Sequence, residues 1–491
     1  MLLESIGPDF SSVPDGAAKL LIGGRMVAAQ GGRSFVSTNP ATEENVASVP
    51  DAGPEDVESA MEAARNAHKA WAARSYDERR KVVLAIADRL KHFAEPLGML
   101  DTLENGNVLS AMRADAPYAA GRMEYLASIG YEVKGQSSNL ANNLQYSRLQ
   151  PYGVVLRLLP FNHPIASAGT ALAAPLLMGN CVVLKPSPHT SLSALALGEA
   201  IADIVPPGVV TILSGSDVTL AEMLIRHPAV SRVSITGSVD AGKAVMRLAA
   251  ERLTPLTLEL GGKNPLIVFP DAAIDTAVRI AISGMNFKWQ SHSCGSTSRI
   301  LVHASLHDAF VEQLRAAMAG IRVSSPLDER AEMGAISFKS LYDRCRHYVE
   351  SGTAEGARLV TGGVRPTGVD PVRGFFMTPA LFDRVQPDMA IARDEIFGPV
   401  VSVLTWDDYD EMLHVANALD LGLTAVIVTD ELTQALKTAD ALEVGYVEVN
   451  GSVSHALGGF FGGVKQSGIG REGGIDELIS YTRSKSINIR L

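Results

Sequence analysis

The sequence predicts an α/β fold built on parallel sheets, and three observations carry that reading. From residue 150 onward, short apolar runs alternate with helical stretches of about 10–15 residues, the pattern of βαβ units. A second series of the same kind runs from about 266 to 445. The chain has 491 residues, 46% hydrophobic and 20% charged, an ordinary globular composition whose core needs neither disulfide nor structural metal.

Taken in order, residues 20–50 read as short strands and turns. Pro54, Glu55 and Asp56 open a helix whose face carries Ala60, Ala63, Ala64, Ala67 and Trp71. Ser75 and Glu78 have capping-box spacing and open the next helix, to about Phe93. Residues 116–133 form a further helix. The first alternating series comes next: strands at 154–159, 181–185, 209–213 and 233–236, with helices at 165–178, 191–204 and 217–227 between them. The final segment, 484–491, alternates polar and apolar residues. It reads as a strand whose partner is another part of the fold or another subunit.

Composition also excludes several partners. Acids exceed bases, 54 to 43, for a net charge of −11, and no Lys/Arg cluster offers a face for nucleic acid. The three cysteines, Cys181, Cys294 and Cys345, are too scattered for a disulfide framework or a zinc site, which points to no metal and a reducing compartment. Residues 1–12 have neither basic nor apolar leader regions, and no apolar stretch is long enough to span a membrane. The expected location is the cytoplasm.

Most free cysteines are small buried hydrophobes. Cys181 fits, inside Asn180-Cys181-Val182-Val183-Leu184, and Cys345 reads as a surface or half-buried thiol between arginines. Cys294 differs. Its neighbours, His292, Ser293, Gly295 and Ser296, give a polar, open approach suited to a nucleophile. Glu259 ends a short apolar run and is followed by Gly261 and Gly262; alone it is a strand-end carboxylate. Asn162 lies between Pro160 and Pro164, either a helix cap or an amide aimed at a developing oxyanion. Gly237 to Lys243 matches the first part of a phosphate-binding loop, but Ala244 replaces the Ser/Thr that would hold magnesium. A nucleotide triphosphatase is therefore excluded. The helix start suits another phosphate, such as that of a dinucleotide, although no G-x-G-x-x-G fingerprint is present.

Seven motifs now stand in a fixed order. They are Pro160-Phe161-Asn162-His163-Pro164, Lys185-Pro186-Ser187, Thr236-Gly237-Ser238, Glu259-Leu260-Gly261-Gly262-Lys263, Cys294 with Arg299, Glu395-Ile396-Phe397-Gly398-Pro399, and the run from Phe461 to Gly468. In that order the chain resembles the NAD(P)-dependent aldehyde dehydrogenase superfamily over nearly its whole length. The resemblance implies Cys294 as nucleophile, Asn162 with the Cys294 N–H as oxyanion donors, and Glu259 as the base that activates water against a thioester. It implies Lys185 on the adenosine ribose, Gly237 and Ser238 at the pyrophosphate, and Glu395 with Phe397 at the nicotinamide ribose. Pro160, Phe161 and Leu260 are further expected cofactor contacts. It also implies a Rossmann-like cofactor domain (1–127 and 151–259), a catalytic domain (260–462) and bridging segments (128–150 and 463–491) that join chains into dimers or tetramers.

Three departures from the family pattern bear on function. Where many NAD-preferring members carry Glu, this chain has Pro188, which neither binds ribose hydroxyls nor repels a 2′-phosphate; use of both NAD and NADP is expected. Where the family often has a relay lysine, the chain has Ala171; Glu472 matches the acid near that relay, and His292 is a candidate substitute. The tunnel has His163, Thr170 and His455 at positions the family often fills with aromatics, beside Phe161, Trp289, His292, Phe460 and Phe461. That composition suggests a polar or aromatic aldehyde, or a semialdehyde. Two alternatives remain: a coenzyme A-acylating relative, which would not require Glu259, and a non-catalytic homologue, which would not require Cys294.

Overall fold

The computed structural model describes residues 18–140 and 142–490. Residues 1–12, read for a leader, and Leu491 lie outside the described residues.

The first sheet is built on strands that are apolar on both faces, which is why they read as continuous runs rather than alternations. Val154–Leu158 and Cys181–Lys185 are buried at every position. The parallel part has the spatial order Val210–Ile212, Cys181–Lys185, Val154–Leu158, Val230–Thr236, Leu256–Glu259. The chain thus starts in the middle, builds outward one way, and then crosses to the other side. Where the order reverses, the carboxyl ends of Val154–Leu158 and Val230–Thr236 leave a crevice, the usual ligand position in such sheets. Antiparallel pieces finish both edges. Leu20–Ile22 and Arg25–Val27 turn on Gly23 and Gly24, whose φ values of 60° and 78° a tight hairpin requires. At the far edge Gly468–Ile469 pairs with Leu258 and Glu259.

The second sheet has seven strands, in the order Arg358–Thr361, Ala380–Asp383, Val400–Trp406, Arg299–His303, Pro265–Val268, Thr424–Val428, Tyr446–Val449. Only the first pair is antiparallel. Leu260 to Asn264 carry the chain directly from Glu259, the end of the first sheet, to Pro265, the start of a central strand in the second. The carboxyl end of one sheet therefore meets the amino end of the other.

Helices Pro54–Ala73 and Tyr76–His92 begin where their caps predict. Ser75 Oγ accepts from the Glu78 N–H at 3.3 Å, and the Ser75 N–H donates back to Glu78 at 2.7 Å. Two expectations need correction. The helix expected over 116–133 runs Leu109–Ile129, because Pro117 sits inside it without ending it and its buried face begins at Leu109. The tail expected to bridge from residue 463 divides: Gly468–Ile469 joins the first sheet, and only Thr482–Arg490 reaches the arm. That last strand finds its partner within the chain, pairing with Asn143–Pro151 from Thr482 opposite Pro151 to Arg490 opposite Asn143; Ser137–Leu140 completes a three-stranded arm.

Candidate active site

Cys294 comes after a stretch of backbone that ordinary residues avoid. Asn286, Gln290 and Ser291 have φ of 54°, 50° and 61°, left-handed values that cost energy and persist only where the surroundings enforce them. Hydrogen bonds supply that enforcement. Gln290 Nε2 donates to Gly106 O, and buried Asn264 donates through Nδ2 to Cys294 O at 2.6 Å and Ser296 O at 3.0 Å. Asn264 is itself fixed by the Thr424 N–H at 3.0 Å. The Cys294 thiol is half-buried, and burial with the nearby Glu259 and Glu395 carboxyls pushes it up to about 12. At rest it is a thiol, and it reacts only when something takes its proton.

A cavity of about 330 Å³ opens on this sulfur. Asn162 and Glu259 line it with Cys294. Asn162 stands where the strand Val154–Leu158 hands over to the helix Pro164–Leu177. One N–H of its amide donates to His292 O at 2.7 Å, and its backbone carbonyl accepts from Asn107 at 2.8 Å. An amide carries two N–H bonds, so one remains for a ligand. Glu259 is buried, and neither carboxyl oxygen has a hydrogen-bond partner among the described residues. Burial, then the Glu472 carboxylate, hold it well above the usual carboxylate range.

Behind Glu259 lies a charged network. The groups facing it are Glu472, Arg471, Arg157 and Glu477. Arg157, buried in the middle of an apolar strand, donates to Glu472 at 2.9 Å, to Ser234 Oγ at 2.7 Å and to the Tyr481 hydroxyl. Ala171, where the resemblance places a lysine, is buried in the core of its helix. The cation beside Glu472 comes instead from the strand.

Of the expected substrate contacts, His163, Thr170, Trp289, His455 and Phe461 line the cavity. Thr170 donates its hydroxyl to Ala166 O at 2.8 Å. His292 is a correction. It is wholly buried outside the cavity, its Nδ1 lies 3.2 Å from Ser337 Oγ, and burial pushes it down to about 3. Its ring packs against Phe161 and Phe397 outside the cavity, and its carbonyl is what meets the site, accepting from Asn162. Phe460 also stands outside the cavity, 45% exposed, while Phe461 takes the wall. Cys345, expected near the surface, is fully buried.

Sequence reading missed Asp115, Tyr118 and Arg122, which enter the cavity from the helix Leu109–Ile129. Their spacing places them on one helical face, but nothing in the sequence says which face meets the cavity. Arg157 left a readable signal, a charge within Val154-Val155-Leu156-Arg157-Leu158.

Comparison with known proteins decides the family, since the model of the aldehyde dehydrogenase family matches residues 26–487. The chain belongs to the aldehyde dehydrogenase family. It is 40% identical to aldehyde dehydrogenase tropH of Talaromyces stipitatus, over 92% of this chain and 89% of that one. It is 37% identical to betaine aldehyde dehydrogenase of Brucella anthropi, over 96% and 97%. The NAD+ complex of an aldehyde dehydrogenase from Bacillus cereus superposes with a TM-score of 0.95 at 33% identity, covering 99% of both chains. Betaine aldehyde dehydrogenase of Staphylococcus aureus with NAD+ gives 0.94 at 31%, covering 98% and 97%. This aldehyde dehydrogenase is thus an oxidoreductase that oxidises an aldehyde with NAD(P)+.

Its residues fit a dinucleotide. The crevice of the first sheet ends at the helix Val239–Ala250, whose first-turn N–H groups have no intrahelical acceptor. Ser238 caps this helix, accepting from the Ala241 N–H at 3.2 Å, while the Gly237 N–H is used by Glu259 O at 3.0 Å. The Gly237 N–H is therefore spent within the sheet, which leaves the first turn of the helix as the donors open to a ligand. Lys185 is buried; among the described residues its ammonium donates to Pro186 O alone, at 3.3 Å, and burial pushes it down to about 8. Glu395 accepts from the Gly262 N–H at 3.0 Å, and a Cβ on Gly261 would collide with its carboxylate. Pro160 and Leu260 line the cavity; Phe161 and Phe397 do not, and pack edge-on to each other at 5.7 Å between centroids. Among the described residues no helix is long and apolar enough to cross a membrane, and no cluster of side chains could hold a metal ion.

Proposed function

We propose that the enzyme converts a polar or aromatic aldehyde to its carboxylic acid through an acyl thioester on Cys294 that water hydrolyses. One observation carries this reading: a single cavity presents the Cys294 thiol, a spare Asn162 N–H and an unpartnered Glu259 carboxyl. The sulfur adds to the carbonyl carbon as its proton passes to water in the cavity. Negative charge gathers on the carbonyl oxygen, where Asn162 and the Cys294 N–H donate to it. A bound NAD(P)+ would supply the hydride acceptor for that carbon, and loss of hydride leaves the acyl group on Cys294 as a thioester. Glu259, once its own proton has passed to water, acts as a carboxylate and removes a proton from the attacking water; the oxygen adds to the thioester carbon, the C–S bond breaks, and the sulfur leaves as the acid departs. Lys185, Ser238 with the following helix turn, Glu395 and Phe397 hold the cofactor. With Pro188 in place of an acid, NAD and NADP are both accepted.

Water rather than coenzyme A is the acceptor, a reading supported by a free carboxyl at Glu259, which thiol transfer would not need. Residues 1–127 and 151–259 act as the cofactor domain and 260–462 as the catalytic domain. The arm of 128–150 and 482–490 joins chains into a dimer or tetramer. The nucleophile is a free thiol, which suits the cytoplasm. The net charge of −11 suits no nucleic-acid or anionic-membrane partner.

Rapid-mixing kinetics with an aldehyde panel test the scheme. Cys294→Ala forms no NAD(P)H. Asn162→Ala raises the barrier by about 2.7–4 kcal/mol. Glu259→Gln keeps a first-turnover burst and slows every later turnover. Full turnover by Cys294→Ala, or product that appears only with coenzyme A, would end this reading.

A further inference from the structure

The cavity wall contains a pair that the catalytic scheme does not use. His163 Nδ1 lies 3.1 Å from Asp115 Oδ2. The aspartate side chain is only 8% exposed, while the histidine is 29% exposed toward the cavity. A carboxylate accepts, so Nδ1 donates, which in the neutral imidazole form leaves Nε2 as the acceptor nitrogen. No described residue bonds Nε2. The backbone beneath is fixed as well: His163 precedes Pro164, and its carbonyl accepts from the Ser167 N–H at 2.9 Å. The result is one oriented acceptor immediately after the Asn162 amide.

The rest of the wall limits what that acceptor can meet. Trp289 packs 5.3 Å from the His163 ring, and Phe461 packs 4.3 Å from His455. Tyr118 lies beneath the Arg122 guanidinium at 5.9 Å. These rings favour a flat apolar body. Four carboxyl groups line the cavity, Asp115, Glu259, Glu472 and Glu477, against the guanidiniums of Arg122 and Arg157. Burial holds Glu259 and Glu477 toward their protonated forms, so the wall has no net charge to draw an ion, and an anionic substrate meets Asp115 beside His163. A cationic one meets Arg122, whose guanidinium donates, among the described residues, to His455 O at 3.3 Å. A neutral substrate with a hydrogen to donate avoids both conflicts.

We propose that His163, oriented by Asp115, selects a neutral ring aldehyde bearing a hydroxyl group, whose O–H donates to Nε2. His163 is then a specificity-determining residue and Asp115 its positioning residue. The proposal rests on the reading of this cavity as the aldehyde site.

The test uses the full chain with benzaldehyde, 3- and 4-hydroxybenzaldehyde and 4-methoxybenzaldehyde, and compares ratios of kcat/KM, so that a general loss of activity cancels. The wild type should prefer a hydroxybenzaldehyde over benzaldehyde at least about tenfold and give the methoxy compound no advantage, since a site acceptor that a substrate hydroxyl fills discriminates against an analogue lacking it. In His163→Phe the ratio should fall to within about threefold of unity. Asp115→Leu, which frees the imidazole, should shrink it as well. Binding of 4-hydroxybenzyl alcohol and benzyl alcohol, which have no carbonyl for Cys294, is measured on the same proteins by calorimetry. A binding preference that His163→Phe removes supports the selection even if no aldehyde turns over, and in that case it is the catalytic reading that fails. A wild type without preference, a preference that survives His163→Phe, or equal gain from the methoxy group overturns the selection.

Discussion

Arg157 Nη1 stands 2.9 Å from the Glu472 carboxylate, and the guanidinium side chain is 5% exposed while the acid is 25% exposed. Removing the cation would leave Glu472 beside Glu259 and Glu477 with no counter-charge in contact. Losing one partner of a buried pair costs several kcal/mol. Arg157→Leu should therefore lower stability by about 3 kcal/mol, toward the low end because the acid keeps some water. Urea unfolding checks this. Glu472→Gln should cost less, since it relieves repulsion at Glu259; an equal cost would contradict the network.

Glu477 gives a pH dependence with a definite sign. Burial first, then Glu472, push its carboxyl up to about 7, against an ordinary 4.5. Between those values the folded chain keeps a proton that the unfolded chain has lost. Its contribution to stability is complete below about 4.5 and disappears as pH rises through about 7. Glu477→Gln stays neutral throughout. The stability of the wild type relative to this variant should decline from pH 5 to pH 8, by at most about 1.4 kcal/mol per pH unit. Unfolding midpoints at several pH values measure it, and a flat difference would contradict the assignment.

The resting thiol should be slow toward alkylating agents. With Cys294 pushed up to about 12, its thiolate fraction at neutral pH is far below that of a free cysteine near 8.5. Iodoacetamide should label the free enzyme more than tenfold slower than a small thiol, and faster as pH rises. Mass spectrometry should find the label on Cys294 alone, because Cys181 and Cys345 are wholly buried. Rapid labelling at neutral pH would mean that an activating group already faces the sulfur.

Gly261 can be separated from folding. A Cβ there would strike the Glu395 carboxylate, the movable end of a side chain, rather than backbone. Gly261→Ala should displace Glu395 and raise the KM for the cofactor by roughly tenfold, with a modest fall in Tm. Titrating NAD and NADP separately checks this. An unchanged KM would remove Glu395 from cofactor binding.

The sheets were legible because their strands are buried on both sides. A run such as Cys181 to Lys185 has only one sensible home. That Cys294, Asn162 and Glu259 line one cavity agrees with reading them together, because each sits in a short motif with glycine or proline fixing the backbone. Side-chain direction was not legible. His292 is two residues from the sulfur, yet its ring packs against Phe161 and Phe397 outside the cavity. Asp115, Tyr118 and Arg122 belong to a helix that looks ordinary in sequence, and only the packing of that helix against Pro164–Leu177 brings them to the cavity. The same holds for Arg157, whose partner Glu472 lies 315 residues away.

The strand that carries Glu259 is finished by Gly468–Ile469, more than two hundred positions downstream. During synthesis, then, Cys294, Asn162 and Glu259 all emerge from the ribosome long before the backbone that seats the carboxylate. A nascent chain would hold every reacting group and still lack the edge strand beside Glu259, so the site is assembled only once that downstream segment has folded back onto the first sheet.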